Sequence, residues 1–259
     1  MAALDTPDLG KLFDMTGKVA LVTGGSRGLG KEMVKAFAAR GADVVITSRK
    51  VEACEELAKE VRDTTGRQAF AYGCHVGRWD ELDGLVEASY DRFGKVDVLV
   101  NNAGMSPLYD KLTDVSEKLF DSVVNINLKG PFRLCALVGS RMFEGDGGVI
   151  INVSSTGSIR NHPTIIPYAA SKSGLNSLAE GFARAFAPKV RVNTLMSGPF
   201  LTDISKAWDI EANTEVQRQV SACQRIAEPH EVVGAALFLA TNASSYTSGV
   251  AVRVDGGIF

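Results

Sequence analysis

The sequence predicts an α/β domain: a doubly wound sheet of seven parallel strands with helices on both faces. Two observations predict it. Short runs rich in Val, Ile and Leu alternate with longer amphipathic stretches from residue 18 to the C-terminus. The short runs are apolar at successive positions, as strands buried on both faces should be. Strand–helix repeats at this rhythm fold into right-handed βαβ units, which places all strands parallel.

Taken in order, KVALVT (18–23) reads as the first strand. A glycine cluster and the helical spacing of KEMVKAFAARG (31–41) follow. DVVITS (43–48) is the second strand. VEACEELAKEVRDTTG (51–66) is an amphipathic helix ending at a glycine, a common C-terminal signal. QAFAYGCHV (68–76) is the third strand, and a helix over about 79–93 leads to VDVLV (96–100). A long helix over about 116–143 precedes GGVIINVSS (147–155), and another over about 167–187 precedes KVRVNTLM (189–196). A last helix near 229–240 leads to VAVRVDGG (250–257).

The chain of 259 residues is 45% hydrophobic, enough for one sizeable core. The expected organisation is a short, loosely ordered tail over 1–15 and one domain over 16–259. The irregular, polar stretch 198–228 is expected to be a mobile lid over a substrate. A net charge of −2 offers no basic field for a nucleic-acid or membrane partner. The N-terminus, MAALDTPDLGKLFDM, carries acids where a signal peptide needs bases, and no apolar run approaches ~18 residues. A cytoplasmic location is expected. Cys54, Cys74, Cys135 and Cys223 form no CxxC pair, and His75, His162 and His230 form no ligand motif. Reduced, packed thiols and no metal are expected.

Two groups of residues carry chemistry. TGGSRGLG (23–30) sits between the first strand and the first helix, with glycines at Gly24, Gly28 and Gly30. Such a turn lets backbone approach a pyrophosphate, and the helix N-terminus offers N–H groups and positive dipole. Ser26, Arg27 and Leu29 lie in the same turn. The second group is Tyr168 and Lys172, which are four apart and share a helix face. A phenol exchanges protons poorly at neutral pH, and a neighbouring ammonium should lower its pKa. The pair suits acid–base work at a carbonyl or alcohol. Ser155 ends the fifth strand, at the edge where an open α/β sheet forms its crevice.

The spacing TGxxxGxG resembles the short-chain dehydrogenase/reductase family. NNAG (101–104), INLKG (126–130), SS (154–155), YAASK (168–172) and the closing VDGG agree with it, from about Lys18 to the C-terminus. Among the relatives that it resembles are 3-oxoacyl carrier-protein reductases and gluconate or glucose dehydrogenases.

The resemblance implies a Rossmann-type fold, a nicotinamide cofactor and a ketone–alcohol interconversion. It implies that Tyr168 donates a proton to the carbonyl and Ser155 orients the oxygen. Lys172 tunes Tyr168 and binds the nicotinamide ribose, while Asn127 distorts its helix and supports a proton relay. It further implies cofactor contacts from Asn102, Ala103, Gly104 and Val76, and from Gly198, Phe200 and Thr202. Where the family carries Pro, Ser197 should loosen the turn slightly. Where it carries Asp, His75 leaves the adenine contact open. A homotetramer, or a homodimer, on the two long helices and the C-terminal region is also implied.

Cofactor choice is read from the second strand. NAD sites carry an acid about 20 residues beyond the glycine motif, on the ribose 2′-OH. Here Ser48 and Arg49 occupy that exit and no acid occurs between Val44 and Lys50. Arg27 lies where a cation opposes the helix dipole unless an anion is near. Each arginine alone would pass for a solvated surface charge; together they predict NADP(H). The substrate wall is expected from Met105, Ser106 and Pro107, from Thr156 to Ile166 with Arg160, Asn161 and His162, and from Ile204, Lys206 and Trp208. That wall leaves the substrate open between a sugar acid, a β-ketoacyl thioester and a cyclic ketone. A non-catalytic nucleotide-binding protein and an epimerase or dehydratase remain alternatives.

Overall fold

The computed structural model describes residues 8–203, 205 and 210–258. One helical turn, α1 (Leu9–Leu12), precedes β1 (Val19–Thr23). Then follow α2 (Gly28–Ala39), β2 (Asp43–Ser48), α3 (Val51–Thr65), β3 (Ala69–Gly73), α4 (Trp79–Phe93) and β4 (Val98–Asn101). The second half comprises α5 (Glu117–Val124), a π-helical turn (Asn125–Lys129), α6 (Gly130–Glu144), β5 (Gly148–Ser155) and α7 (Ile166–Ala185). It closes with β6 (Val190–Ser197), α8 (Ile210–Val220), α9 (Val233–Ala240) and β7 (Ala251–Val254).

The seven strands form one sheet in the order β3-β2-β1-β4-β5-β6-β7. Every neighbouring pair is parallel. The chain reverses its direction of winding between β1 and β4. That reversal opens a crevice at the carboxyl ends of the central strands, where ligands of such sheets bind.

The strands are buried on both faces, and their side chains alternate between two cores. Val22, Ile46, Val100 and Ile151 enter one apolar layer with Met33, Phe37 and Leu57 of α2 and α3 and Leu239 of α9. Leu21, Val45, Leu99 and Ile150 enter the other, with Leu82 and Leu85 of α4 and Leu134 and Val138 of α6. The helices show the matching stripe: α3 buries Cys54, Leu57, Ala58 and Val61, and α4 buries Leu82, Leu85, Val86 and Ser89. Both sets repeat at i, i+3, i+4 and i+7, which keeps one face on the sheet.

Three expectations are revised. Helix α2 begins at Gly28 rather than at residue 31, because its first turn is the glycine motif itself. The single helix expected over 116–143 is interrupted by the π-helical turn, where an extra residue per turn re-aims the side chains. The tail expected over 1–15 lies partly outside the described residues, but its end is anchored. Met15 is buried, and its N–H donates to the Arg40 carbonyl at 2.9 Å.

The stretch expected as a lid holds helix α8, and its C-terminal end is pinned. Ala222 and Cys223 donate to the carbonyls of Gly257 and Gly256, and Ser221 Oγ donates to Gly256 O at 2.9 Å. Arg225 makes a two-pronged pair with Glu231, both contacts at 2.6 Å. Cys54, Cys74 and Cys135 are buried and Cys223 is exposed, all as free thiols. Among the described residues no helix is long and apolar enough to cross a membrane, and no cluster could hold a metal ion.

Candidate active site

The glycine turn leaves β1 at the crevice. Thr23 Oγ1 donates to Val100 O at 3.2 Å and accepts from the N–H groups of Asn102 and Ala103 at 3.0 and 3.1 Å. Asn102 Nδ2 donates back to Thr23 O and Gly24 O at 2.9 and 3.2 Å. These bonds lock the exits of β1 and β4 together. A Cβ on Gly30 would stand 2.3 Å from Gly24 O, so only glycine lets the helix meet the turn. Gly28 has φ +53°, the left-handed region that glycine enters without strain. No side chain caps the N-terminus of α2, so its first N–H groups keep no side-chain acceptor. A bare backbone cradle at a helix N-terminus fits a pyrophosphate, and therefore a dinucleotide cofactor. Gly24, Gly28 and Gly30 would form that cradle.

At the end of β2, Ser26 Oγ donates to Ser48 Oγ at 3.0 Å, and Ser48 Oγ donates to Lys50 O at 3.1 Å. Cys54 Sγ lies 3.1 Å from the same hydroxyl. Arg49 is exposed and forms no ion pair among the described residues. Arg27 lies 3.8 Å from Asp203. Beyond β3, His75 is held by backbone and ring: its N–H donates to Glu81 at 2.7 Å, and its ring Nδ1 accepts from Gly77 N at 3.2 Å. Val76 is buried, and Gly130 packs on its carbonyl, where a Cβ would approach to 2.1 Å.

Two of the residues expected to do acid–base work, Asn127 and Lys172, meet beside Gly104. Asn127, on the π-helical turn, is fully buried. Its Oδ1 accepts from Met105 N at 3.2 Å, and its Nδ2 donates to Met105 O and Val123 O at 2.8 and 2.9 Å. Lys172, on α7, is 3% exposed and donates to Val153 O at 2.7 Å. A Cβ on Gly104 would lie 2.9 Å from Asn127 Oδ1 and 3.7 Å from Lys172 Nζ. Amide and ammonium therefore face one gap that Gly104 leaves open. Across α7, Ser155 Oγ and the Tyr168 ring lie 3.4 and 3.7 Å from where a Gly157 Cβ would stand.

Burial pushes the Lys172 ammonium down to about 8, since the low-dielectric interior disfavours its charge. Burial also pushes the Tyr168 phenol up, opposed by hydrogen bonding to Ser155. A neighbouring Lys172 ammonium is expected to lower the Tyr168 pKa. In this arrangement Lys172 Nζ is 5.8 Å from the Tyr168 ring centroid, and it points a proton at Val153 O. Desolvation is the larger of the two influences on the phenol, and the Ser155 hydrogen bond is the one that opposes it.

After β6, Gly198 N donates to Val254 O at 2.9 Å. A Cβ on Gly198 would lie 2.7 Å from Asp255 Cα. Ser197 does not leave the turn loose: its hydroxyl donates to Ser154 O at 3.0 Å. Phe200 is buried in the first core and pairs by its backbone with Ala227. Thr202 packs over the glycine turn, 3.5 Å from where a Gly28 Cβ would stand.

Of the expected substrate wall, Ile204, Lys206 and Trp208 lie outside the described residues. Met105, Ser106 and Pro107 are partly buried, and Arg160, Asn161 and His162 are exposed. Two residues here were not foreseen. Tyr109 OH donates to Pro163 O at 2.7 Å and accepts from Ile166 N at 2.9 Å, joining both wall segments at the start of α7. Nothing in the sequence marks that contact across more than fifty residues. Asp203, the partner of Arg27, was legible only as the residue following Thr202.

The chain matches the family model for short chain dehydrogenase over residues 18–213. It is 35% identical over 245 residues to the 3-oxoacyl-(acyl-carrier-protein) reductase FabG of Chlamydia trachomatis serovar D, covering 94% of this chain and 98% of that one. It is similar to a solved 7α-hydroxysteroid dehydrogenase complexed with NADH and 7-oxo glycochenodeoxycholic acid, at 32% identity and a TM-score of 0.92. That match covers 97% of this chain and 98% of the other. A gluconate 5-dehydrogenase from Burkholderia cenocepacia J2315, in complex with NADP and tartrate, matches at 31% identity and a TM-score of 0.91. There the shares are 96% of this chain and 98% of the other. A parallel sheet with a bare glycine cradle at its switch point, matched over nearly its whole length by such relatives, places this chain in the short-chain dehydrogenase family of oxidoreductases.

Proposed function

We propose that the protein is an NADP(H)-dependent oxidoreductase that interconverts a small ketone and its secondary alcohol. The observation that carries this reading is two neighbouring pairs, Asn127 and Lys172 across Gly104 and Ser155 and Tyr168 across Gly157, with Lys172 Nζ 5.8 Å from the Tyr168 ring centroid. When bound, the nicotinamide supplies or accepts the hydride at the carbonyl carbon. Tyr168 supplies the proton to the carbonyl oxygen, and burial keeps the phenol protonated until that transfer. Ser155 orients that oxygen. Lys172, near half-protonated around pH 8, returns the proton to Tyr168. Asn127 faces Lys172 across Gly104, and a water bridging the two would link the lysine to solvent.

The choice of NADP(H) rests on Ser48, Arg49 and Arg27. The fold alone does not decide it, since similar chains have been solved with NADH and with NADP. Residues 16–259 act as one domain, with 198–228 as the substrate lid. A homotetramer built on the α5–α6 and α7 helices and the C-terminal region is part of this proposal. Phe132 and Phe143 of α6 and Tyr246 near β7 are exposed, which supports it.

The test is a panel of ketones and alcohols assayed by absorbance with NADPH and NADH, on the wild type and Tyr168→Phe. Turnover should fall by about 10²–10⁴-fold in the variant while nucleotide binding survives. Unchanged turnover in Tyr168→Phe would refute the catalytic role. Turnover with no net cofactor oxidation would favour an epimerase or dehydratase.

A further inference from the structure

Arg27 stands at the N-cap of α2 with extended backbone (φ −156°, ψ 171°) and makes no side-chain cap. A cation there opposes the positive end of the helix dipole unless an anion accompanies it. The anion in this structure is Asp203: its Oδ2 lies 3.8 Å from Arg27 Nη1. Asp203 is held in place by a closed turn. Thr202 N donates to Ser205 Oγ at 3.0 Å, and Ser205 returns its N–H and hydroxyl to Thr202 O at 3.1 and 2.7 Å. That turn packs on the glycine motif through Thr202 and Gly28. The carboxylate is thus built into the rim of the nucleotide cradle, at the root of the 198–228 stretch.

We propose that Asp203 is a specificity-determining residue for the nucleotide: it is the stand-in anion that a ribose 2′-phosphate must displace from Arg27. This inference rests on the proposal that Arg27 faces the 2′-phosphate of NADP(H). Two negative groups then compete for one guanidinium. Asp203 lowers the affinity for NADP without touching NAD, which offers Arg27 no phosphate at that position.

The size of the effect follows from exposure. Arg27 is 62% exposed and Asp203 33%. An ion pair this open is worth a few tenths of a kcal/mol to one, which corresponds to roughly a two- to fivefold change in binding.

The experiment measures dissociation constants of NADP+, NAD+ and 2′-AMP on the full chain by titration calorimetry. The proteins are wild type, Asp203→Asn, Asp203→Ala, Arg27→Ala and the Arg27→Ala/Asp203→Asn double variant. Expected is a two- to fivefold tightening of NADP+ and 2′-AMP in both Asp203 variants, with NAD+ unchanged. The gain should vanish in the Arg27→Ala background, because Asp203 acts through that side chain. Equal affinities in wild type and both Asp203 variants, or equal gains for NADP+ and NAD+, would overturn the inference while leaving the NADP reading intact. If wild type binds NAD+ as tightly as NADP+ and Arg27→Ala alters neither, the NADP reading itself falls, and this inference with it.

Discussion

Asn127 and Met105 are joined in both directions: the amide oxygen accepts from the Met105 N–H at 3.2 Å, and the amide nitrogen donates to the Met105 carbonyl at 2.8 Å. One buried side chain thereby behaves like an extra strand for the segment that leaves β4. Asn127 lies on the π-helical turn, and its Nδ2 bridges Met105 O and Val123 O, the latter one turn back on its own helix.

Asn127→Leu keeps the volume and removes those bonds. The Met105 N–H and carbonyl lose their side-chain partner in a largely buried place, at a cost of roughly 1–3 kcal/mol. Thermal unfolding should register that loss. Turnover should fall by more than the lost stability explains, because the amide that faces Lys172 across Gly104 disappears as well. Full turnover in a folded Asn127→Leu protein would remove Asn127 from the proton path.

Gly30→Ala tests the cradle. The added methyl would meet Gly24 O at 2.3 Å and Asn102 Nδ2 at 2.6 Å. Relief requires the turn or the helix to shift, with a cost of about 1–3 kcal/mol from overpacking. Nucleotide affinity should drop for NADP+ and NAD+ alike, since the pyrophosphate is common to both. A drop confined to one nucleotide would contradict the placement of this turn under the pyrophosphate.

Selectivity is tested at the other end of the adenosine site. Arg49 is exposed without an ion-pair partner among the described residues, and Ser48 is already bonded to Ser26 and Lys50. Arg49→Ala should raise the KM for NADPH about tenfold or more, the scale of a lost charge-assisted bond, with little effect on NADH. Ser48→Asp should move the preference towards NADH by repelling a 2′-phosphate. Steady-state kinetics with both nucleotides decides it, and parallel changes in the two KM values would defeat the assignment.

The Tyr109 hydroxyl ties Pro163 O to Ile166 N, two residues before Tyr168. Tyr109→Phe keeps the ring and cuts both bonds. The expected outcome is a several-fold rise in substrate KM with nucleotide affinity unchanged, because only the substrate wall loosens. Equal losses of nucleotide and substrate binding would mean that Tyr109 merely supports the fold.

The fold was legible because its signals are repetitive. Seven apolar runs, separated by stripes such as Cys54–Leu57–Ala58–Val61, admit few topologies. The candidate site residues were legible where several motifs agree, as with Tyr168 and Lys172 on α7 taken together with Ser155 at the end of β5. What escaped the sequence depends on long-range geometry. The π-helical turn requires Asn127 to find Met105, and no local propensity encodes that partner. The hydroxyl of Ser197 substitutes for a proline by reaching Ser154 on the neighbouring strand, a bond visible only once β5 and β6 are paired. The direction of the Tyr168 pKa depends on how deeply the phenol is enclosed, which composition does not report.

Lys172 yields a prediction about stability as well as turnover. Burial lowers its pKa from 10.5 to about 8 in the folded chain. Below pH 8 both folded and unfolded chains hold the proton, and the folded one carries the cost of a buried charge. Between about 8 and 10.5 the unfolded chain still binds a proton that the folded chain has released, so stability rises with pH. The full excursion is on the order of 3 kcal/mol, from the free energy of one pKa unit. Lys172→Met abolishes the charge. Relative to wild type it should be most favourable near pH 7, and the difference should shrink steadily as pH approaches 10.5. Chemical denaturation of both proteins across that range measures it, with the lost bond to Val153 entering as a constant offset. Turnover in Lys172→Met should collapse at every pH, so the variant separates a group kept for chemistry from one kept for stability. A pH-independent difference between the two proteins would mean that Lys172 titrates normally and is not desolvated as described.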